Sequence, residues 1–399
     1  MKIIFVNRVF WPEQAATAQL LHDVTVRLAR RGCQVVVLTG PSPSRPSQEN
    51  VKGVRIVRVG SPARRFGGAI MQRLLVYLSF LKRIRKAIGD EVEVDDLVIG
   101  MTDPPLLGVV IGQIARRHGA RVWHWSQDVY PEVAIALSSN SALRFCLQRL
   151  VAIRDREWHR CEGIAAIGTD MAQLVGGRHV DSGKIKIVPN WAPDSTEEHA
   201  TSSLPSSWDP QENFVVAYSG NLGRAHSLTP IVKIAEVLRN NQAIQFWIIG
   251  DGAQRKDLEE QVAQRNLQNI TFKPPVDRAH LHAALAVPHL HFITMRSSCV
   301  GTVWPSKFYG IVQAERPILF IGPREAEVSR QIEGDQLGAS FDPAQSQAAA
   351  AYIEKLYSET DYYQKIRENV TRRSSKAPGS DSVASFWQKV ANSPPPALR

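Results

Sequence analysis

Cysteine is scarce and scattered in this chain. Cys33, Cys146, Cys161 and Cys299 stand far apart with no Cys-x-x-Cys spacing, so neither a disulfide framework nor a zinc site is expected, and a reducing cytosol fits best. Long apolar runs are missing too. The greasiest stretch, residues 70–86, is interrupted by Arg73 and Lys82 well short of the roughly 20 residues that span a bilayer. The opening Met1-Lys2-Ile3-Ile4-Phe5-Val6-Asn7 moves straight into a strand without a small-residue cleavage site, so no secretory signal is expected. Acidic charge is in deficit: 48 Lys+Arg against 38 Asp+Glu leave +10, which points to an anionic partner such as nucleic acid, a nucleotide or a membrane surface. The basic residues gather on one apolar helix and form no nucleic-acid motif, so nucleic acid is not the expected partner.

What is present is a repeated alternation of strands and helices. At 399 residues the chain exceeds the roughly 250–300 that one core usually serves, so two domains are expected. In the first half, apolar runs at 2–9, 34–39, 55–59, 96–101, 121–126, 163–168 and 186–188 read as strands. Helical patterns at 16–30, 70–87, 106–118, 143–160 and 170–175 lie between them. A Pro/Ser/Thr/Asp-rich stretch then reads as a linker, 193–213. The second half repeats the pattern, with strands at 214–218, 245–249, 270–273, 290–294, 317–321 and 339–341. Its helices fall at 229–240, 255–264, 278–284, 306–314, 325–333 and 344–357. Two doubly wound parallel-sheet domains follow, 1–192 and 214–375, with ligand at the carboxyl ends of both sheets. A last helix, about 382–390, is expected to pack back on the first domain.

Ser219-Gly220-Asn221-Leu222-Gly223-Arg224 follows the strand Phe214-Val215-Val216-Ala217-Tyr218 and leads toward a helix. Backbone N–H groups and a positive helix end there would seat a phosphate; a plain tight turn is the alternative. Farther on, Thr302-Val303-Trp304-Pro305-Ser306-Lys307 places a cation in the first turn of a helix, where it opposes the dipole. A bound phosphate explains that, and Arg224 with Lys307 would clamp a diphosphate leaving group. Ile249-Gly250-Asp251-Gly252 and Lys273-Pro274-Pro275-Val276 end the next two strands, where backbone groups could frame a nucleobase.

In the first half, Ala15-Ala16-Thr17 opens a helix at a strand's carboxyl end and lets a diphosphate approach the backbone, or serves as a simple cap. Met101-Thr102-Asp103 and Ser126-Gln127-Asp128 end two further strands. Asp128 could accept a hydrogen bond from a sugar hydroxyl, or Asp128 and Glu132 could only cap the next helix. His124 shares the alternating face of Asp128 and reads more simply as a core histidine. Arg64, Arg65, Arg73, Lys82, Arg83, Arg85 and Lys86 flank the apolar face of 70–86, which suits a helix on an anionic leaflet or a core helix with a solvated basic side.

Phe10-x-Pro12-Glu13, Thr102-x-Pro104-Pro105, Gln127-Asp128-x-x-Pro131-Glu132, Ser219-Gly220-Asn221-x-Gly223, Ile249-Gly250-Asp251-Gly252 and Pro305-Ser306-Lys307 occur in one order. That order resembles the GT-B glycosyltransferases of family 4, in the branch that builds colanic acid and other bacterial exopolysaccharides or O-antigens. The resemblance runs from about residue 2 to about residue 342. It implies two Rossmann-like domains facing a central cleft, and retaining transfer from a nucleotide-diphosphate sugar without metal or other cofactor. The acceptor would be a lipid-linked saccharide, and the enzyme would sit on the inner face of the plasma membrane through residues of about 64–86. By position, Ala16, Thr17, Ser219, Gly220, Asn221, Gly223, Arg224, Ser306 and Lys307 would bind diphosphate. Gly250, Pro274, Val276 and Gly310 would border base and ribose, and Thr102, Asp103, Gln127 and Asp128 the acceptor or transferred sugar. Asp128, Arg224 and Lys307 would be catalytic. The family's two glutamates seven residues apart fall near Thr302 and Gly310 and are missing, and Glu315 replaces its usual glycine. A nucleotide-sugar 2-epimerase of the same fold and a non-catalytic binding protein remain as alternatives.

Overall fold

The computed structural model describes residues 1–13, 15–60, 69–192, 204 and 208–394, with backbone alone for 69–74. The chain forms two compact units. The first comprises Met1–Asn190 together with Gly301–Val303 and the segment from Pro378. In it, β1 (Ile3–Val6), α1 (Ala16–Arg30), β2 (Val35–Thr39), β3 (Gln48–Val51) and β4 (Val54–Arg58) precede α2 (Ala69–Glu91) and β5 (Leu97–Gly100). Then come α3 (Leu107–Arg117), β6 (Arg121–Ser126), α4 (Glu132–Leu137), α5 (Ser141–Arg160), β7 (Gly163–Ala166), α6 (Thr169–Gly176) and β8 (Ile185–Ile187). The strand order is β3-β4-β2-β1-β5-β6-β7-β8, parallel except where β3 meets β4.

β3 departs from the all-parallel expectation. Gln48-Glu49-Asn50-Val51 is polar and alternates in exposure, as an edge strand open to water does. Lys52 and Gly53, both at positive φ (51° and 85°), close the hairpin, the conformation that two-residue turns favour.

The second unit holds β9 (Phe214–Ser219), α7 (Thr229–Val237), β10 (Ile244–Ile249), α8 (Arg255–Gln264), β11 (Ile270–Lys273), α9 (Leu281–Ala286) and β12 (Leu290–Thr294). It continues through α10 (Lys307–Gln313), β13 (Ile318–Ile321), α11 (Glu327–Gly334), β14 (Gly338–Phe341), α12 (Ser346–Ser358) and α13 (Thr360–Ser374). Its order, β11-β10-β9-β12-β13-β14, is the doubly wound one, and the direction of winding reverses between β9 and β12. In the first unit the reversal falls between β1 and β5. Ligands bind outside the carboxyl ends of the strands at such points, which makes the loops after β1, β5, β6, β9 and β12 the candidate binding loops.

α14 (Ser380–Asn392) belongs to the first unit and packs on α1. Its Trp387 is fully buried, edge-on to Phe5 at 6.1 Å and to Trp123 at 5.8 Å. Arg121 donates to the carbonyls of Val390, Ala391 and Ser393, satisfying groups that the helix end leaves open. Of the stretch read as a linker, residues 193–203 and 205–207 lie outside the described residues. Trp208 is not linker-like: it is 6% exposed and packs against Trp247 in a cluster with Val215 and Ile249.

Candidate active site

β9 is buried along its whole length and delivers Tyr218 and Ser219 to the edge of the second sheet. Residues 220–228 then form a loop, and α7 starts only at Thr229, so the glycine stretch is not the direct strand-to-helix turn expected from sequence. The loop is braced on its neighbour instead. Gly220 N donates to Ile249 O at 2.9 Å, Leu222 N to Asp251 O at 2.9 Å, and Gln254 N to Leu222 O at 3.1 Å. This interlacing requires glycine. A Cβ on Gly250 (φ 129°) would fall 2.2 Å from Gly220 O, and one on Gly252 (φ 151°) 2.8 Å from the Leu222 backbone.

Lys307 opens α10 and reaches the same loop. A Cβ on Gly220, itself at φ 124°, would lie 2.8 Å from Lys307 Cε, so the missing side chain leaves the path that the lysine takes. The ammonium sits 3.6 Å from the centroid of the Tyr218 ring and donates to the Tyr218 hydroxyl. That hydroxyl in turn donates to Asn221 O at 3.0 Å. Burial holds Lys307 well below the usual lysine range and raises Tyr218. Burial first, and Lys307 second, hold His226 down at about 3, while its Nδ1 contacts Thr294 O at 2.7 Å. No carboxylate among the described residues pairs with Lys307. A half-buried cation with no anionic partner is a site shaped for an anion.

The other expected donor residues are dispersed around this centre. Ser219 is nearly buried, Asn221 and Arg224 are exposed, and Ser306 is the exposed N-cap of α10 without a side-chain cap bond. Pro274 is exposed, whereas Val276 packs into the Trp208–Trp247 cluster. Gly310 serves helix packing: its Cβ would lie 3.1 Å from Leu285 of α9. Sequence reasoning missed Tyr218 and His226, the first because it closes an otherwise apolar strand.

In the first unit the carboxyl ends of β5 and β6 bring Thr102, Asp103 and Asp128 together. Asp128 N donates to Thr102 Oγ1 at 3.4 Å. Asp103 is engaged by Arg8 through two bonds, of 3.1 and 2.7 Å. Asp128 has no such partner among the described residues, and burial, reinforced by Asp103, pushes it up to about 6. Gln127 is buried with its Oε1 accepting from Asn190 Nδ2 at 2.8 Å. Neither Asp128 nor Glu132 caps α4, which begins behind Pro131; Glu132 instead pairs with Arg154 and Arg178. Ala16 and Thr17 open α1, whose N-cap, Ala15, brings no side-chain hydrogen bond and whose first turn holds no acid. Thr302, near which the sequence resemblance expects a glutamate, is 5% exposed, and its carbonyl accepts a hydrogen bond from Val129 N at 2.7 Å.

Two family models cover the chain: a glycosyl transferase 4-like domain matches residues 16–191, and the model of glycosyl transferases group 1 matches residues 204–373. The chain belongs to the glycosyltransferases. Membership decides for glycosyl transfer over epimerisation or non-catalytic binding, and the two sheets are those of the GT-B fold. Among curated relatives, the probable glycosyltransferase WbjE of Pseudomonas aeruginosa is 24% identical over 296 residues, 72% of this chain and 70% of its own length. The putative colanic acid biosynthesis glycosyl transferase WcaI of Escherichia coli K12 is 24% identical over 336 residues, 78% of this chain and 81% of its own. The crystal structure of HepE from Anabaena, in complex with UDP, matches the fold with a TM-score of 0.69 at 13% identity. That match covers 98% of this chain and 99% of HepE.

Proposed function

We propose that this glycosyltransferase takes its sugar from a nucleotide-diphosphate donor held by the second unit. It moves that sugar, with retention, onto a lipid-linked saccharide held by the first unit in bacterial surface polysaccharide synthesis. The observation that carries the donor reading is Lys307, half-buried against Tyr218 without a carboxylate and reaching past Gly220. A diphosphate supplies the missing charge and raises the lysine's proton affinity, so the ammonium stabilises the leaving group as it departs. In this reading Ser219, Gly220, Asn221, Gly223, Arg224 and Ser306 of the same unit offer it backbone and side-chain donors. The bond from the anomeric carbon to the diphosphate oxygen breaks and the acceptor oxygen takes its place on the same face. The hydroxyl proton leaves with the diphosphate. Asp128 is assigned to the acceptor hydroxyl. The relatives named for polysaccharide synthesis and the UDP bound to HepE support this reading.

The membrane side of the proposal rests on α2. Leu75 and Leu78 are 53% and 54% exposed beside exposed Lys82, Arg83, Arg85 and Lys86, a surface suited to an anionic leaflet. Arg64 and Arg65 lie outside the described residues, and the side chain of Arg73 is not described. No helix among the described residues is long and apolar enough to cross a membrane.

The test is thermal unfolding with UDP, GDP, ADP and TDP. A cognate nucleotide at about 100 times its Kd stabilises by roughly 2.7 kcal/mol, and Lys307→Ala reduces the shift. The reading is abandoned if no nucleotide shifts the transition and no sugar nucleotide releases diphosphate with a lipid-linked acceptor.

A further inference from the structure

His226 sits in the loop after β9, and neither the diphosphate seat nor the transfer step uses it. Its backbone is fixed on both sides: His226 N donates to Gly223 O at 3.1 Å, and Gln254 Nε2 donates to His226 O at 3.2 Å and to Gly223 O at 2.5 Å. The preceding residue is tied to the loop after β12, where Arg296 N donates to Ala225 O at 3.1 Å. The ring is fixed as well. Nδ1 lies 2.7 Å from Thr294 O, and the ring stands edge-on to Tyr218 at 6.0 Å. A carbonyl oxygen only accepts, so Nδ1 carries the hydrogen. Burial, with the Lys307 charge second, holds the ring neutral down to about 3, so Nε2 has a lone pair and no hydrogen. No group among the described residues bonds Nε2. The ring is only partly buried, and Nε2 reaches solvent, unlike the sealed nitrogens His124 Nε2 and His291 Nδ1.

We propose that His226 is a specificity-determining residue for the donor, its Nε2 accepting a hydrogen bond from a hydroxyl of the transferred sugar. The inference rests on the second unit being the donor unit. In that reading the base borders the ends of β10 and β11, and the diphosphate meets Lys307 at the loop after β9. The strand order is β11-β10-β9-β12, so a donor laid across the strand ends in that direction brings its sugar to the end of β12, where Thr294 holds the ring. The chemistry of Nε2 narrows the guest. Phosphate and carboxylate oxygens are acceptors and would meet a lone pair there. A hydroxyl supplies the missing hydrogen without adding charge. A sugar that lacks this hydroxyl, or turns it away, strips Nε2 of water and gives it no partner, which is how a polar site rejects the wrong substrate. The ring cannot turn to present its N–H instead without giving up Thr294 O.

The test uses the full chain with UDP-glucose, UDP-galactose, UDP-N-acetylglucosamine and GDP-mannose, each against its own nucleoside diphosphate. Nitrogen NMR of protein with isotope-labelled histidine rings reads the state of Nε2, and the loss of its resonance in His226→Gln identifies it. Nε2 should be unprotonated in the free protein. At least one sugar nucleotide should shift it toward a hydrogen-bonded value, and UDP and GDP alone should not. In His226→Phe, which keeps a ring and removes the acceptor, calorimetry should find that sugar nucleotide weakened roughly five- to tenfold and its diphosphate less than about twofold. Equal losses of both put His226 in the diphosphate seat and overturn the proposal. So does no loss of either, an Nε2 that UDP or GDP protonates, or one that no sugar nucleotide shifts. The NMR arm, read on the wild-type chain, keeps the test decisive if His226→Phe does not fold. Nucleotides that bind without these sugar effects sink only the role of His226, whereas binding of no nucleotide sinks the donor assignment as well.

Discussion

Gly220 and Lys307, 87 residues apart by their numbers, are fitted to each other: the Cβ that Gly220 lacks would lie 2.8 Å from Lys307 Cε. The glycine also stands at φ 124°, where an L side chain is strained. Gly220→Ala should therefore displace the lysine and cost roughly 1–2 kcal/mol of stability. Calorimetry together with nucleotide titration checks both effects. A variant with unchanged Tm and unchanged nucleotide affinity contradicts the fit.

Lys307→Met separates function from stability. The native ammonium is desolvated, held below its usual pKa, and faces no carboxylate, so its charged form opposes folding. Because the depression favours protons in the unfolded chain, its penalty shrinks as pH rises toward the unfolded value of 10.5. The methionine variant should unfold no lower than wild type at pH 7, while transfer falls by about 100-fold or more, in line with a lost charge stabiliser. A clear drop in Tm would show that the lysine is structural.

Asp128 sets a pH limit. Its pKa of about 6 predicts transfer that declines as pH falls through that value, if the carboxylate form is needed. Asp103→Asn removes a negative neighbour, which favours ionisation, so the acid limb should move to lower pH. Stability runs the other way. The folded value exceeds the ordinary 3.8, so ionising Asp128 is destabilising, absent below about pH 4 and complete above about 6. A pH–rate profile without an acid limb near 6 removes Asp128 from its role.

The sheets were legible because fully buried parallel strands read as continuous apolar runs; Phe214–Ser219 and Ile318–Ile321 are examples. β3 was not, since a polar edge strand carries no apolar signal and its turn glycine, Gly53, is one among many. α13 also escaped, its charged face hiding the buried Tyr363, Ile366 and Val370. In the candidate site, glycine at a strand end and lysine at a helix start announced Gly220 and Lys307. Tyr218 looked like core, and the Arg8–Asp103 pair joins residues 95 apart, which no local pattern encodes. Gly108 and Gly112 carry no local signal, because the His124 and Glu157 side chains they make room for come from β6 and α5.

His124 gives the first unit a measurable basic-side transition. Its folded pKa of about 9 lies above the ordinary 6.5, so its contribution is fully present below pH 6.5 and lost as pH rises through 9. The difference corresponds to roughly 1–3 kcal/mol. Urea unfolding at pH 6.5 and 9.5 should show wild type losing this amount. His124→Gln should change less between the two, and equal losses in both proteins would refute the assignment.

Glu315 ends α10 in the left-handed region at φ 55°, one residue beyond the cap Ala314, at the position where the family's pattern has glycine. Side-chain crowding in that conformation costs about 1 kcal/mol or slightly more, whereas glycine adopts it freely. Glu315→Gly gives part of this back through the greater freedom of the unfolded chain, which leaves a net gain of roughly 0.5–1 kcal/mol. For a unit of this size that is a rise of about 1–4 °C in the transition of the second unit. Glu315→Ala keeps the strain and removes the charge, so it should not reproduce the gain. A rise in the alanine variant equal to that in the glycine variant would assign the effect to the carboxylate and not to the backbone.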